Sequence, residues 1–308
     1  MMGLRVDKPG MLSTVQDLGR WGYQNLGVPV AGPMDRCAHR LANLLLGNPS
    51  EAATLEVTLI GPTLTAEGRM HVAVAGAEFD LFVDDAAVPM GVPLSIAAGS
   101  GFRFGRRRRG ARAYLAVRGG FDVPEWLGSR STHLPSRLGG LAGRALVAGD
   151  VLRSRETAAG TVPSVDRRGP VLDLPDGGAR IRVMLGPQEA LCAPEGIETF
   201  RTTRYVVSDH SDRMGYRLSG PAVALASSAE PLSDATPTGT VQIPGSGQPI
   251  VLMADGQTTG GYPKLATVIT ADLPVAGQLS PGDWMEFEVC DRAAALRALI
   301  AQEQALLA

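Results

Sequence analysis

The stretch Arg20-Trp21-Gly22-Tyr23 near the start of the chain returns in the second half as Arg213-Met214-Gly215-Tyr216, and both follow the pattern R-x-G-Y. Two further pairs of segments match in the same order: Arg118-Gly119-Gly120-Phe121 with Thr259-Gly260-Gly261-Tyr262, and Leu146-Val147-Ala148-Gly149-Asp150 with Leu279-Ser280-Pro281-Gly282-Asp283. Each match is short, and glycine-rich turns recur by chance. Because all three keep one order along the chain, they indicate a duplicated domain.

The elements predicted around these repeats are mostly short strands. A first helix is predicted between Pro33 and Gly47, and a second from about Asp291 to the end, where an apolar stripe suggests a packing helix. The dense basic run 106–109 is expected in a solvated hairpin turn. The predicted strands are His71–Ala75, Glu78–Val83, Arg112–Val117, Arg180–Leu185, Pro249–Met253, Ala266–Thr270 and Trp284–Val289. This pattern predicts a mainly β protein with a few helices.

The domain boundary is expected in the Gly-, Pro- and charge-rich stretch Arg155–Gly178, which has little periodicity and lies between the two sets of repeats. A length of 308 residues also fits two domains. We therefore predict an N-terminal β domain at residues 1–160, a linker at 161–178 and a C-terminal β domain at 179–308 that ends in the second helix.

Composition argues against several classes of function and location. A net charge of −2 gives no basis for binding nucleic acid or an anionic membrane. The three cysteines are odd in number and widely spaced, which argues against a disulfide framework. The first residues, 1–10, carry no apolar core of a signal peptide, and no run of about 18 apolar residues occurs. We expect a cytoplasmic protein.

The strongest candidate site is the segment from Gln242 to Lys264. Its glycines, Gly260 and Gly261, would let the backbone approach a ligand, while neighbouring polar side chains supply hydrogen-bonding groups and a charge. Lys264 stands out because Lys8 is the only other lysine in the chain. The alternative is a tight turn whose side chains satisfy only their own backbone. The polar side chains are those of Asp255, Gln257, Thr258, Thr259 and Lys264.

A second polar segment surrounds Arg213, with Tyr216 three residues later. Its arginines would suit a carboxylate ligand, or would simply pair with the neighbouring acids. Arg20 and Asp35 belong to a similar set of polar and charged side chains in the first domain. Asp35 is favoured at a helix start whether or not it is functional. The four histidines show no metal-ligand spacing, and no metal is predicted.

Several nucleotide and catalytic motifs are absent from the sequence. It contains neither G-x-x-x-x-G-K-[ST] nor a G-x-G-x-x-G between strand and helix, so ATP binding by a familiar loop is not expected. It also lacks a G-x-S-x-G elbow and an M-K-M context around either lysine. Any ATP or biotin would therefore be bound by another chain or domain.

Several longer motifs are spread over nearly the whole chain. They are Gln16-Asp17-Leu18-Gly19-Arg20, Gly32-Pro33-Met34-Asp35, Gly47-Asn48, Gly128-Ser129-Arg130-Ser131-Thr132, Arg213-Met214-Gly215-Tyr216, Gly239-Thr240-Val241-Gln242 and Asp255 to Lys264. Together they resemble the allophanate hydrolase subunit 2 family, which also includes the C-type subunits of 5-oxoprolinase and KipA and is known as the biotin-dependent carboxyltransferase family. One departure is Asp234, where the family usually carries glutamate.

This resemblance implies two tandem cyclophilin-like β-barrel domains and a partner of the KipI or allophanate-hydrolase-subunit-1 type, the B-type subunit. In a 5-oxoprolinase, a LamB/YcsF-like protein, the A-type subunit, joins them in the ATP-dependent opening of 5-oxo-L-proline to L-glutamate. The alternatives are carboxyl transfer from biotin in a urea carboxylase and a KipA-like regulator that antagonises a kinase inhibitor.

For the site we predict a small-molecule amide substrate and two groups of residues. The catalytic candidates are Lys264, Asp255 and Tyr262, and the substrate-binding candidates are Arg213, Tyr216, Gln242, Gln257, Thr258, Gly260, Gly261, Arg20 and Asp35.

Overall fold

The computed structural model of the protein describes residues 2–155, 172, 174–226 and 231–307. Two compact units contain these residues: one is formed by 1–21 and 31–174, the other by 22–30 and 175–308. The short segment 22–30 thus groups with the second half of the chain. Much of the predicted linker at 161–178 lies outside the described residues.

The first unit is a nine-stranded sheet in its described part, with one helix. All its strand pairings are antiparallel, and the order along the main path is β2-β3-β8-β4-β1-β9, with β5, β6 and β7 attached through β8 and β5. Its elements are β1 (Gly3–Lys8), β2 (Leu12–Gln16), α1 (Arg36–Leu45), β3 (Thr54–Thr58), β4 (Thr63–Ala66), β5 (Met70–Val83), β6 (Ala86–Val88), β7 (Leu94–Ile96), β8 (Gly101–Val117) and β9 (Val151–Arg153).

The long pair β5–β8 organises this sheet and corrects two expectations. The predicted strands 71–75 and 78–83 are one strand, bent by register shifts between Gly76 and Leu81. Gly76 has φ +103°, and a Cβ there would lie 2.5 Å from the carbonyl oxygen of Arg112, so a side chain is excluded at the bend. The basic run 106–109 is exposed as predicted, but it lies within β8 and is not a turn.

The second unit contains a closed barrel with the strand order β10-β17-β14-β15-β12-β11-β18. The parallel pairing of β10 with β18 closes it, and β13 and β16 form a separate two-stranded sheet. Its elements are β10 (Gly178–Leu185), α2 (Pro194–Thr202), β11 (Arg204–Val207), β12 (Gly215–Ser219), β13 (Asp234–Ala235), β14 (Thr240–Gln242), β15 (Ile250–Leu252), β16 (Thr259–Gly260), β17 (Lys264–Val268), α3 (Leu273–Gly277), β18 (Trp284–Val289) and α4 (Arg292–Leu307).

Alternate residues of β18 are buried. Met285 and Phe287 are buried, and Phe287 stacks on Phe200 of α2 with the ring centroids 4.4 Å apart. The mainly β fold with a few helices is therefore confirmed.

Helix α4 begins where the sequence predicts, because the Asp291 carboxylate accepts a hydrogen bond from the backbone N–H of Ala294. Its expected role as a packing helix holds for one face. Half-buried residues at helical spacing, Ala295, Leu299 and Gln302, lead to the buried Leu306, and Gln302 donates to the carbonyl oxygen of Ala271. Leu296 and Ile300 are about half exposed. Within the described ranges, no helix combines the length and apolar character needed to cross a membrane.

Candidate functional site

Gln242 and Lys264 face each other across two neighbouring barrel strands. Gln242 is the last residue of β14 and Lys264 the first of β17, and the two are paired in the register. The pairing shifts between Val241, which lies opposite Ala266, and Gln242, so that Leu265 is an extra residue in β17. Such a bulge re-aims the side chains beside it. Here it places the lysine, rather than the leucine, opposite the glutamine.

Both side chains are buried, yet neither donor is used within the described structure. Gln242 is 1% exposed and Lys264 5% exposed. Neither Lys264 Nζ nor Gln242 Nε2 has a hydrogen-bond partner among the described residues. Buried donors are nearly always satisfied, because leaving one unpaired costs ~1–3 kcal/mol and more when it is charged. These two donors on paired residues make the pair a candidate site for an acceptor.

The backbone of Lys264 is fixed by a segment that the sequence did not suggest as part of the site. The backbone N–H of Lys264 donates to the side-chain oxygen of Gln188 over 3.0 Å. Gly186 also packs closely against Lys264, because a Cβ at Gly186 would lie 2.4 Å from the carbonyl oxygen of Lys264. Gly186-Pro187-Gln188 directly follows β10, and only its Gly-Pro turn signal was visible in the sequence.

The glycine-rich segment around β16 also lies against Gln242. Gly260 in β16 pairs with Asp234 of β13, and a Cβ at Gly260 would lie 2.6 Å from Gln242 Nε2. Thr236 holds this segment: its hydroxyl donates to the carbonyl oxygen of Gln257, and its N–H donates to that of Thr258. Gly260 therefore allows a close approach to the Gln242 side chain, while its predicted contact with a ligand stays a prediction.

Arg213 and Asp255, two other candidates, bind each other. Arg213 Nε and Nη2 donate to the two carboxylate oxygens of Asp255 over 3.0 and 2.9 Å, and both side chains are buried. Asp255 follows the end of β15, whereas Gln242 pairs with Ile250 at its start. The structure thus separates this ion pair from the Gln242–Lys264 pair along β15. Of the two possibilities left open for Arg213, pairing with an acid is observed, and that acid is Asp255.

The remaining candidates of the second unit are placed less centrally. Tyr216 is buried and donates its hydroxyl to the carbonyl oxygen of Leu279, which makes it a support of the barrel. Tyr262 is 41% exposed. Gln257, Thr258 and Gly261 are half-buried in the segment around β16. Asp234 is exposed, and its carboxylate accepts from the N–H of Ala235.

The two candidates of the first unit are both buried and engaged locally. Arg20 donates to the carbonyl oxygen of Ser131 over 2.7 Å and lies over the Trp126 ring. Asp35 caps α1 by accepting from the N–H of Ala38, while its own N–H donates to the Tyr114 hydroxyl. These contacts explain both residues structurally, as the helix-start interpretation allowed for Asp35.

A polar network under α1 carries the largest electrostatic effects of this unit. Burial, reinforced by the neighbouring Glu56 carboxylate, raises the pKa of the Tyr114 phenol well above its ordinary value. Tyr114 therefore stays protonated and donates to Glu56 over 2.7 Å. Burial also lowers the pKa of His39 to about 4. Neither group titrates near neutral pH, so this network is a structural one.

A metal centre is not indicated in the part of the chain that the structure describes, where no group of three or more His, Cys, Asp or Glu side chains is arranged to hold an ion. What the second unit offers instead is a pair of buried donors, one of them cationic, beside a close-packed glycine. That arrangement suits recognition of an oxygen acceptor on a small molecule.

Comparison with known proteins places this chain in a family. Residues 26–289 match the carboxyltransferase domain family, subdomains A and B, and the chain belongs to it. The chain is 40% identical over 295 residues to the C-type subunit of 5-oxoprolinase from Escherichia coli (strain K12), covering 96% of this chain and 94% of that protein. It is 38% identical to the corresponding 5-oxoprolinase subunit of Haemophilus influenzae, covering 90% of this chain and 87% of that one.

Larger proteins contain a similar region. The crystal structure of the Kluyveromyces lactis urea amidolyase matches 99% of this chain with a TM-score of 0.92 and 34% identity, but this match spans only 20% of that chain. The family resemblance and the β-barrel architecture inferred from the sequence are thereby confirmed.

Proposed function

We propose that this chain is the C-type subunit of a multi-subunit 5-oxoprolinase, which opens 5-oxo-L-proline to L-glutamate at the expense of ATP. The observation that carries the proposal is the match to the C-type 5-oxoprolinase subunit of Escherichia coli, which is 40% identical and spans nearly the full length of both chains. The urea amidolyase of Saccharomyces cerevisiae, by contrast, is covered over only 16% of its length.

In this reaction the role of the chain is to bind the substrate and not ATP. ATP is expected on another protein of the complex, since the sequence carries no familiar phosphate loop. The Gln242–Lys264 pair supplies a buried cation and an amide donor, which bind a substrate oxygen and orient the lactam. Lys264 either holds a carboxylate or transfers a proton to the opened product. Asp255 binds Arg213 through both of its oxygens, and its role in this proposal is to position that arginine.

The active form is a complex. Its proposed members are a KipI or allophanate-hydrolase-subunit-1-like protein, the B-type subunit, and a LamB/YcsF-like protein, the A-type subunit, located in the cytoplasm. Free thiols at all three cysteines suit a reducing compartment. The exposed apolar side chains of α4, Leu296 and Ile300, are the proposed contact with the KipI-like protein.

The decisive experiment measures glutamate release from 5-oxo-L-proline and ATP by the co-purified complex. Release is expected with all subunits present and is expected to disappear when this chain is left out. Unchanged release in its absence would contradict the proposal.

A second candidate function is carboxyl transfer from a biotin carrier to urea or another small amide. The observation in its favour is the match to the Kluyveromyces lactis urea amidolyase, whose TM-score is 0.92. Fixation of labelled bicarbonate into urea by this chain, a biotin carboxylase supplied with ATP, and a biotinylated carrier would establish it. The 5-oxoprolinase proposal expects no fixation above the level without this chain.

A further inference from the structure

Buried side-chain donors without a hydrogen-bond partner also occur elsewhere in the described structure, for example at Tyr205, but Gln242 and Lys264 bring two of them together on residues that pair across neighbouring strands. The buried Arg213 is matched by Asp255, and the carboxylate of Asp17 accepts from the hydroxyls of Ser129 and Ser131. Lys264 Nζ and Gln242 Nε2 have no such match in the described structure. The two donors can therefore bind a hydrogen-bond acceptor.

The charge of that acceptor follows from the cost of burying an ammonium group. A neutral carbonyl oxygen satisfies one hydrogen bond, but it leaves the positive charge of Lys264 uncompensated at a site where the side chain is only 5% exposed. A carboxylate compensates the charge and offers a second oxygen to the amide of Gln242. Both hydrogen bonds are then charge-assisted, because the carboxylate that accepts them is an anion.

We infer that Lys264 Nζ and Gln242 Nε2 together bind one carboxylate group of a small substrate, each donating to one oxygen. The inference rests on the proposed function for the identity of that substrate. 5-Oxo-L-proline carries a single carboxylate beside its lactam, so this pair holds the carboxylate and leaves the lactam carbonyl for the ATP-dependent chemistry. Lys264 is thereby a binding residue and not the proton donor.

Gly260 controls the position of the amide. Since a Cβ at Gly260 would lie 2.6 Å from Gln242 Nε2, an alanine there displaces the flexible end of the glutamine. The backbone of Gly260 is not in the left-handed region, so alanine is otherwise tolerated. Gly245 is exposed with nothing within 4 Å of its Cβ position, which makes Gly245→Ala a matched control.

The test uses the two lysines of the chain as reporters. Lysine labelled with ¹³C at Cε gives two NMR signals from the full-length protein, one for Lys264 and one for the exposed Lys8, and Lys8→Arg assigns them. Acetate is the anionic probe, and acetamide is the neutral probe of nearly the same shape. A saturable shift of the Lys264 signal is expected with acetate and not with acetamide, while the Lys8 signal stays in place.

The variants sharpen this expectation. Gln242→Met and Gly260→Ala should each weaken acetate binding at Lys264 by about tenfold or more, the scale of one hydrogen bond to a charged group, and Gly245→Ala should not. Equal shifts with both probes, parallel shifts of both lysines, or no Lys264 shift in the folded protein would each overturn the inference. Saturation by acetate together with a complex that releases no glutamate would instead reject the 5-oxoprolinase proposal and leave the carboxylate site standing.

Discussion

Lys264 carries a buried positive charge, and its replacement by methionine isolates that charge. Lys264→Met keeps the apolar stem and removes the ammonium, so the fold of the barrel should persist. We expect kcat/KM of the complex for 5-oxo-L-proline to fall by at least ~10²-fold. Carboxylate binding predicts that most of this loss appears as a higher KM, whereas proton transfer predicts a lower kcat.

The control for this change is Lys8→Met, which removes the other lysine at an exposed position. It should leave both kinetic constants within about twofold of wild type, because exposed charges contribute little. Wild-type turnover by a folded, partner-bound Lys264→Met protein would eliminate Lys264 from the site.

The Arg213–Asp255 pair leads to a prediction about stability. Asp255→Asn keeps the shape of the side chain but leaves the buried guanidinium without its counter-charge. We expect a loss of ~3–5 kcal/mol in the free energy of unfolding, measured by urea denaturation of the isolated chain. If Asp255 instead serves the reaction directly, Asp255→Asn will retain its stability and lose activity.

The matched change removes both charges. Arg213→Met combined with Asp255→Leu leaves no unpaired buried ion, and its unfolding free energy should lie closer to wild type than that of Asp255→Asn. A double variant less stable than Asp255→Asn would contradict this account of the pair.

Among the secondary-structure elements, helix α1 contains a titratable group whose state is tied to the fold of the first unit. His39 bonds the carbonyl oxygen of Ser50 through Nε2 and the Thr54 hydroxyl through Nδ1. Because the Ser50 carbonyl can only accept, Nε2 carries the proton of the neutral ring. Burial is the main cause of a pKa of about 4, below the ordinary 6.5.

The lowered pKa makes the stability of this unit depend on pH. Between pH 6.5 and about 4, the unfolded chain takes up a proton at His39 that the folded chain does not, so stability falls as the pH falls through this window. The resulting loss of unfolding free energy is absent above pH 6.5 and reaches about 3 kcal/mol below pH 4. Urea midpoints measured across this range should fall more steeply for wild type than for His39→Gln. Parallel curves would show that His39 is not the responsible group.

Some of the helices and strands could be predicted from the sequence, and others could not. The limits of α1 and the strand Trp284–Val289 were predictable because their periods and end signals are local. The basic run 106–109 was misplaced because exposed arginines flanked by glycines resemble a turn, while β8 draws its support from pairing with β5. The exposure of α4 also depends on which surfaces surround it, and no local pattern encodes that.

For the site, composition drew attention to Lys264 and the glycines beside it, since both are local properties of the sequence. Its pairing with Gln242 depends on a one-residue bulge at Leu265, which shifts the register of two strands more than twenty residues apart in the chain. Gln188 was missed for a similar reason. It acts through the backbone N–H of Lys264, a long-range contact without a sequence signature.

The two units of the molecule share one chain, and the proposed activity requires further subunits. The repeats in the sequence indicate duplication, yet the described sheets differ: in the first unit β5, β6 and β7 are attached to the main strand order through β8, and the second unit closes into a seven-stranded barrel. Duplicated domains that diverge in this way are free to take separate roles. The unpaired buried donors that carry the proposed site, Lys264 and Gln242, belong to the second unit.

Assembly with a partner is the prediction that concerns the protein as a whole. Co-expressed with a KipI-like protein, the chain should co-elute as a heterodimer or a dimer of heterodimers, measured by size-exclusion chromatography with light scattering. Leu296 on α4 is 54% exposed, and burying such apolar surface is a main source of affinity between subunits. Leu296→Asp should therefore weaken the complex by about tenfold or more, since it places a charge in an apolar contact.

Gln304→Asp is the matched control, because it adds the same charge at another exposed position of the same helix. Circular dichroism of both variants would establish that α4 is intact, so that a difference in affinity reports on the contact and not on folding. Equal affinity of the two variants would place the interface with the KipI-like protein elsewhere on the chain, and recovery of this chain only as a free monomer would contradict the complex itself.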